Sequence, residues 1–248
     1  MFSVRSINTL ALMGSISLIP LSVQAADPQA LGLSGSGEAG YNSSTGNTTT
    51  TSVFGAIKLN YNQVDHELKS VFEINYKSEN DVQTQERYLL DLQRNHFYDE
   101  SRSYYSFVGG KFENSRFENI DLDAALSAGL GKALYQTEQT TLTGEIGLGY
   151  QSITYTSTGG GNSTDQMIGR LKLDFAHQIN EQVTFTQDAL VLTGSERTKL
   201  ELNTGVKVKV ADSMNVKLAY KYRHNDKPAT TTLKKTDTQT TLTLIYDF

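Results

Sequence analysis

Six stretches of this chain leave every second residue free of charge. In 67–77, 121–131, 142–151, 199–210, 214–223 and 237–248, one phase of the alternation holds 32 positions without an Asp, Glu, Lys or Arg. The opposite phase holds 34 positions and 16 charges. Charged residues make up 20% of the chain, so about six would fall in the first set at random. Leu200, Leu202, Val206, Val208 and Val210 interleave with Lys199, Glu201, Asn203, Lys207 and Lys209, and Met214, Val216, Leu218 and Tyr220 with Asn215, Lys217, Ala219 and Lys221. A period of two is the side-chain period of a β-strand, so each stretch predicts a strand with one greasy and one charged face.

Extended to the weaker stretches, the pattern predicts twelve strands, near 32–42, 48–61, 66–78, 85–98, 102–113, 121–135, 141–155, 165–177, 182–192, 198–210, 214–224 and 237–248. Many exceed the five or six residues usual in soluble sheets. They match the roughly 9–11 residues a tilted strand needs to cross hydrocarbon. The three prolines, Pro20, Pro28 and Pro228, leave 29–227 free of a residue that cannot donate to a ladder. The expected fold is therefore all-β: a transmembrane antiparallel barrel of about twelve strands. In 85–98, Tyr88, Leu90 and Leu92 run into Arg94 and His96, which calls for a membrane-edge position or a bulge that shifts the phase. The links are read as alternating, short after even-numbered strands and mostly longer after odd ones (Glu79–Thr84, Asn114–Ile120, Thr156–Thr164, Asn225–Thr236), as in outer-membrane barrels. Tyrosines at strand ends, Tyr41, Tyr61, Tyr76, Tyr98, Tyr150, Tyr155, Tyr220 and Tyr222, suit interfacial girdles.

Residues 1–25 read as a secretory signal peptide: Arg5, an apolar run from Ile7 to Val23, then Val23-Gln24-Ala25 as a cleavage pattern. That leaves 26–248 as the barrel. The greasy face of the last strand, Leu242, Leu244, Tyr246 and Phe248, has the form of the signal read by the barrel assembly machinery of the Gram-negative outer membrane.

Known chemistries find little support. There is no Cys, which excludes disulfides and thiolate sites. A net charge of −5 gives no footprint for nucleic acid. Gly35-Ser36-Gly37-Glu38-Ala39-Gly40 matches a dinucleotide fingerprint but lies in a strand pattern with no helix after it. The four histidines are far apart in sequence. No catalytic, cofactor or metal set is read. Asp121 and Asp123 are expected to share an inward face as ordinary lumen charge.

The inward charges are segregated. Arg170, Lys172, Lys199, Lys207, Lys209, Lys217, Lys221 and Arg223 form a basic sector on strands eight, ten and eleven. Glu73, Asp91, Glu113, Asp121, Asp123 and Glu145 belong to a mixed, net-acidic sector on strands one to seven. Low-dielectric walls strengthen the field between such sectors.

Several stretches carry a family resemblance: Gly46-Asn47-Thr48-Thr49-Thr50-Thr51-Ser52, Glu86-Arg87-Tyr88, Gly109-Gly110-Lys111-Phe112-Glu113-Asn114-Ser115-Arg116-Phe117, Leu126-Ser127-Ala128-Gly129-Leu130-Gly131 and Leu142-Thr143-Gly144-Glu145-Ile146-Gly147-Leu148-Gly149-Tyr150. Over nearly the whole mature chain the sequence resembles the YdiY-like family of salt-induced outer-membrane proteins. The resemblance implies a Gram-negative outer-membrane barrel surrounded by lipid. It brings no catalytic or ligand residues with it. Two functions fit the residues: a narrow diffusion channel for small polar or anionic solutes, or a non-conducting envelope barrel whose lumen is filled by salt bridges.

Overall fold

The structure is a computed structural model that describes residues 31–45 and 48–248; the expected leader at 1–25, and Gly46 and Asn47, lie outside the described residues. The strands are β1 (Gly32–Ser44), β2 (Thr50–Asn62), β3 (His66–Glu79), β4 (Val82–Phe97), β5 (Tyr104–Ser115), β6 (Ile120–Gln136), β7 (Thr140–Tyr155), β8 (Ser163–Gln178), β9 (Val183–Gly194), β10 (Thr198–Ala211), β11 (Met214–Asn225) and β12 (Thr236–Asp247). Each pairs antiparallel with the next, and β1 pairs with β12, closing a barrel. Every boundary falls within three residues of the one read from the alternation.

The barrel is inside out relative to a water-soluble protein. Its buried side chains include Glu38, Glu73, Asn75, Arg87, Asn95 and Glu113, whereas Leu148, Ile146 and Leu218 are 70%, 67% and 54% exposed. A continuous apolar exterior of this extent is stable only against hydrocarbon. On β4 the phase holds without a bulge through Arg94 and His96, which stay exposed near the end of the strand, opposite Leu68 and His66.

Two departures from the pattern have local causes. The β3–β4 link, expected to be long, is only Asn80-Asp81, with φ of 48° and 63°. Two successive left-handed residues make the tight hairpin turn that Asn and Asp tolerate, and the strands run on into what the sequence suggests is loop. In β6 the pairing with β7 slips between Ile120 and Leu122. This bulge turns Ile120 inward, where it is 2% exposed, and leaves Asp121 on the exposed side. Asp121 therefore does not share the inward face of Asp123, and the acidic sector loses one member. In the β4–β5 link, Asp99 accepts from the Ser101 hydroxyl and from the backbone N–H groups of Tyr104 (3.0 Å) and Ser103 (3.2 Å). These bonds hold its carboxyl below the ordinary aspartate range and fix the turn.

The closing seam is short. β1 and β12 register only from Ser36↔Asp247 to Ala39↔Leu244. One more step is added by Phe248, whose N–H donates to the Gly35 carbonyl at 2.8 Å and whose carbonyl accepts from the Gly35 N–H at 2.7 Å. The Phe248 ring covers Gly35, where a Cβ would lie 2.8 Å from it. The glycines of the nucleotide-like stretch thus serve the barrel wall. All other neighbouring strands register over 11 to 15 positions.

Candidate functional site: a lumen bridged by side chains

One half of the lumen, under β4 to β9, is packed solid. Tyr105 and Phe107 point inward from β5 and are 5% and 3% exposed. They fit because the facing positions are glycine. A Cβ on Gly131 would meet the Tyr105 ring at 2.2 Å, and one on Gly147 the Phe107 ring at 2.8 Å. The Tyr105 hydroxyl donates to Glu145 (2.9 Å), Arg170 donates to Glu145 (2.6 Å) and to Gln93 (3.0 Å), and the Arg170 guanidinium lies 4.4 Å from the Phe107 ring centre. Ala125, Ile168, Leu190 and Leu192 fill the space beside them. A low-dielectric surrounding strengthens each of these charged bonds and makes an unpaired partner costly.

Ion pairs cross the rest of the lumen, from β3 and β5 on one side to β10 and β11 on the other. Glu113 is the hub. It accepts from Arg87 on the adjacent strand (2.9 and 3.1 Å), from Lys199 across the lumen (2.8 Å) and from Arg223 (3.4 Å). Lys111 reaches back across the lumen to Glu201, and Lys199 lies 3.3 Å from the same carboxylate. Glu73 accepts from Arg87 (2.8 Å) and from Lys221 (2.7 and 3.0 Å). Glu38 accepts from Lys58 (2.8 Å) and Lys217 (3.0 Å). Gln239 donates to Asn75 at 2.7 Å, joining β12 to β3.

The sequence-read residues now have places. Lys199 and Arg223 bridge to Glu113, Lys221 to Glu73 and Lys217 to Glu38. Arg170, Glu145 and Lys172 belong to the packed half, Lys172 at 2.8 Å from Asp174. Lys207 and Lys209 stand toward the end where β1 begins and β12 ends, called the terminal end below, near Asp247 (3.8 Å) and Asp212 (3.5 Å). Asp123 is paired with Arg197. Asp91 is half-buried in register with Lys111. Leu242, Leu244 and Tyr246 face outward, 64%, 46% and 41% exposed. Sequence reading missed Arg197, which lies in the β9–β10 link where no alternation marks it, yet is 2% exposed inside the lumen. It also missed Gln93, Tyr105 and Phe107. Their parity with Lys111 and Asp91 on the inward rows is the signal that finds them.

Two cavities flank the bridges, one toward each end of the barrel. One, of about 1010 Å³, lies toward the loop end and is lined by Lys77, Lys221, Arg223, Gln239 and Leu242 among others. The other, of about 510 Å³, lies toward the terminal end and is lined by Lys58, Lys69, Lys207, Lys209 and Asp247 among others. They share no lining residue. Glu38, Lys217 and Glu73 occupy the level between them.

A family model described as "Protein of unknown function, DUF481" matches residues 37–248. The uncharacterized protein YdiY of Escherichia coli (strain K12) is 27% identical over 142 residues, which are 57% of this chain and 55% of that protein. The chain therefore spans about half the length of that relative. The likeness to YdiY read from the sequence is borne out by both matches. Among solved structures, the COG4313 outer membrane channel from Pseudomonas putida F1 superposes with a TM-score of 0.53 at 10% identity, covering 93% of this chain and 100% of that one. The translocator domain of autotransporter NalP from Neisseria meningitidis gives 0.48 at 13% identity over 90% of each chain. The fold is that of outer-membrane barrels.

Proposed function

We propose, from the premise that the chain belongs to the DUF481 family, that it is an outer-membrane channel for small polar solutes with a gate made of side chains. The loop end then faces the outside and the terminal end the periplasm. One observation carries the reading: a cavity opens toward each end of the barrel, both beside β1, β2, β11 and β12, and lysine–carboxylate bridges stand between the two. Lysine is long and flexible, so such bridges can part without moving the barrel wall. Around the outer cavity stand Lys77, Lys221, Arg223 and Lys234 against Glu79, Glu118 and Asp237. Around the inner one stand Lys58, Lys69, Lys207 and Lys209 against Glu181, Asp212 and Asp247. The small cationic excess at both mouths supports a mild preference for anions.

The test is solute flux into liposomes that hold the purified protein. Glu38→Gln with Glu73→Gln removes the acceptors of Lys58, Lys217 and Lys221, and flux of a small sugar is expected to rise at least threefold over the unaltered protein. The dense bridging itself favours a second reading, a non-conducting barrel that serves the envelope structurally. No flux from either protein, with both folded, establishes that reading and overturns the first.

A further inference from the structure

The outer cavity has a side door. Beyond Ala39↔Leu244 the register of β1 with β12 stops, yet β1 continues to Ser44 and β12 begins at Thr236. The strands make a last approach at Gly40, where a Cβ would come within 2.8 Å of the Leu242 carbonyl oxygen. Above that point both edges run on without a ladder between them. Unpaired backbone groups are not tolerated in hydrocarbon; they need water or polar partners. The gap therefore belongs at the head-group level of the outer leaflet, and the residues agree. Tyr41 and Leu242 end the apolar rows of β1 and β12, 70% and 64% exposed, and the next outward positions are Ser43 and Thr240.

The cavity that meets this gap is lined from both sides of the wall. Asn42, Gln239 and Lys221 belong to the inward rows, whereas Tyr41, Leu218 and Leu242 belong to the lipid-facing rows. At the gap its lining thus takes in both faces of the wall, polar and cationic within and apolar at the lip. Among the described residues Lys234, exposed at its rim, makes no ion pair. A volume of about 1010 Å³ accepts a drug-sized or larger ligand.

We propose that the outer cavity is a lateral binding site for a single-chain amphiphile with an anionic head, which enters from the outer leaflet between β1 and β12 with its head toward Lys221 and Lys234 and its tail in the bilayer. The proposal rests on the barrel being in a membrane, but not on axial conduction. Lys77, Lys221 and Arg223 are bridged to Glu79, Glu73 and Glu118, and Lys234 is left as a cation without an ion pair among the described residues, which favours an anionic over a cationic head.

The chain has no Trp, so single tryptophans report position. Asn42→Trp, Gln85→Trp and Phe72→Trp are placed in vesicles whose acyl chains are brominated near the head group. Gln85 lines the same cavity from β4, away from the gap, and Phe72 faces lipid. Quenching of Phe72→Trp alone shows a barrel in lipid with a closed wall and overturns the proposal. Quenching of Phe72→Trp and Asn42→Trp, but not of Gln85→Trp, is the expected result. Lack of quenching at Phe72→Trp overturns the membrane reading itself, and the lateral site with it.

Binding is then read with dodecyl phosphate, dodecyltrimethylammonium and inorganic phosphate, as the change in Asn42→Trp fluorescence. Dodecyl phosphate is expected to bind at least tenfold more tightly than either of the others, and Lys234→Glu to weaken it at least threefold. Equal binding of the two amphiphiles, or phosphate binding as tight as dodecyl phosphate, overturns the assignment. A cross-seam pair, Asn42→Cys with Thr241→Cys, in a chain without native Cys, gives an independent arm. Oxidation that forms the disulfide is expected to abolish dodecyl phosphate binding and reduction to restore it. Undiminished binding in the oxidised form overturns the route.

Discussion

Arginine placed at two consecutive positions of β3 separates the two faces of the wall. Phe72 is 43% exposed on the outer surface, midway between Leu68 and Tyr76 on the same row and in register with Ile57 and Leu90 on the neighbouring strands. Phe72→Arg puts a guanidinium in the middle of the apolar band, where a cation costs about 2–4 kcal/mol. Val71 points the other way. It lines the inner cavity and registers with Asp91. Val71→Arg finds water and stands between Asp91 and Lys58 on the two neighbouring strands, so its cost stays within about 1 kcal/mol, the scale of solvated charge interactions. At about 1.4 kcal/mol per tenfold, Phe72→Arg lowers the folding equilibrium roughly 30- to 700-fold, whereas Val71→Arg changes it fivefold at most. Guanidinium titration of each variant in phospholipid vesicles, followed by tyrosine fluorescence, gives both numbers. Equal destabilisation at the two positions, or a larger loss at Val71, would mean that the apolar rows do not face lipid, and the inside-out reading would fall.

Three further outcomes follow from named contacts. Arg87 is 2% exposed and serves both Glu73 and Glu113; Arg87→Met is expected to destabilise the barrel by about 3–5 kcal/mol, the usual result of stranding a buried charge, in the same titration, and a loss below 1 kcal/mol contradicts the hub. Gly35→Leu drives a side chain into the Phe248 ring and weakens a seam of few bonds; the folded band on an unboiled gel is expected to convert at a lower temperature, and an unchanged conversion temperature counts against the closure described. If flux is observed, neutralising Lys207, Lys217 and Lys221 together is expected to lower the ratio of anion to cation flux, and an unchanged ratio removes these lysines from selectivity.

The barrel was legible in the sequence because hydrocarbon imposes a rule on every second residue of every strand. Leu242, Leu244 and Tyr246 obey it as strictly as Leu68, Phe72 and Ile74, and the strand bounds follow. The bulge at Asp121 was not legible, because an inserted residue inverts the phase without altering composition. The two-residue turn at Asn80-Asp81 was hidden for a related reason: the strands outrun the apolar band, and polar residues there look like loop. The lumen was legible only as an inventory. Lys199, Lys221, Glu73 and Glu113 were readable as inward. The convergence of the lysines on Glu113 and Glu73 depends on which strands face one another across the closed ring, and alternation along one strand carries no such information. The packed half needed that geometry too, since Gly131 admits the Tyr105 ring only because the two lie in register.

Single-channel current through the purified barrel in a planar bilayer, recorded from 0.1 M to 1 M salt, tests the proposed channel most directly. The bridges between the two cavities face them, with Lys217 and Lys221 side chains 19% and 21% exposed. Screening shortens from about 10 Å to 3 Å across that range and loosens them. Small discrete steps are predicted, with a conductance that rises faster than the conductivity of the bath. A silent membrane at every salt concentration, with folded protein shown by its gel mobility, would contradict a gated lumen.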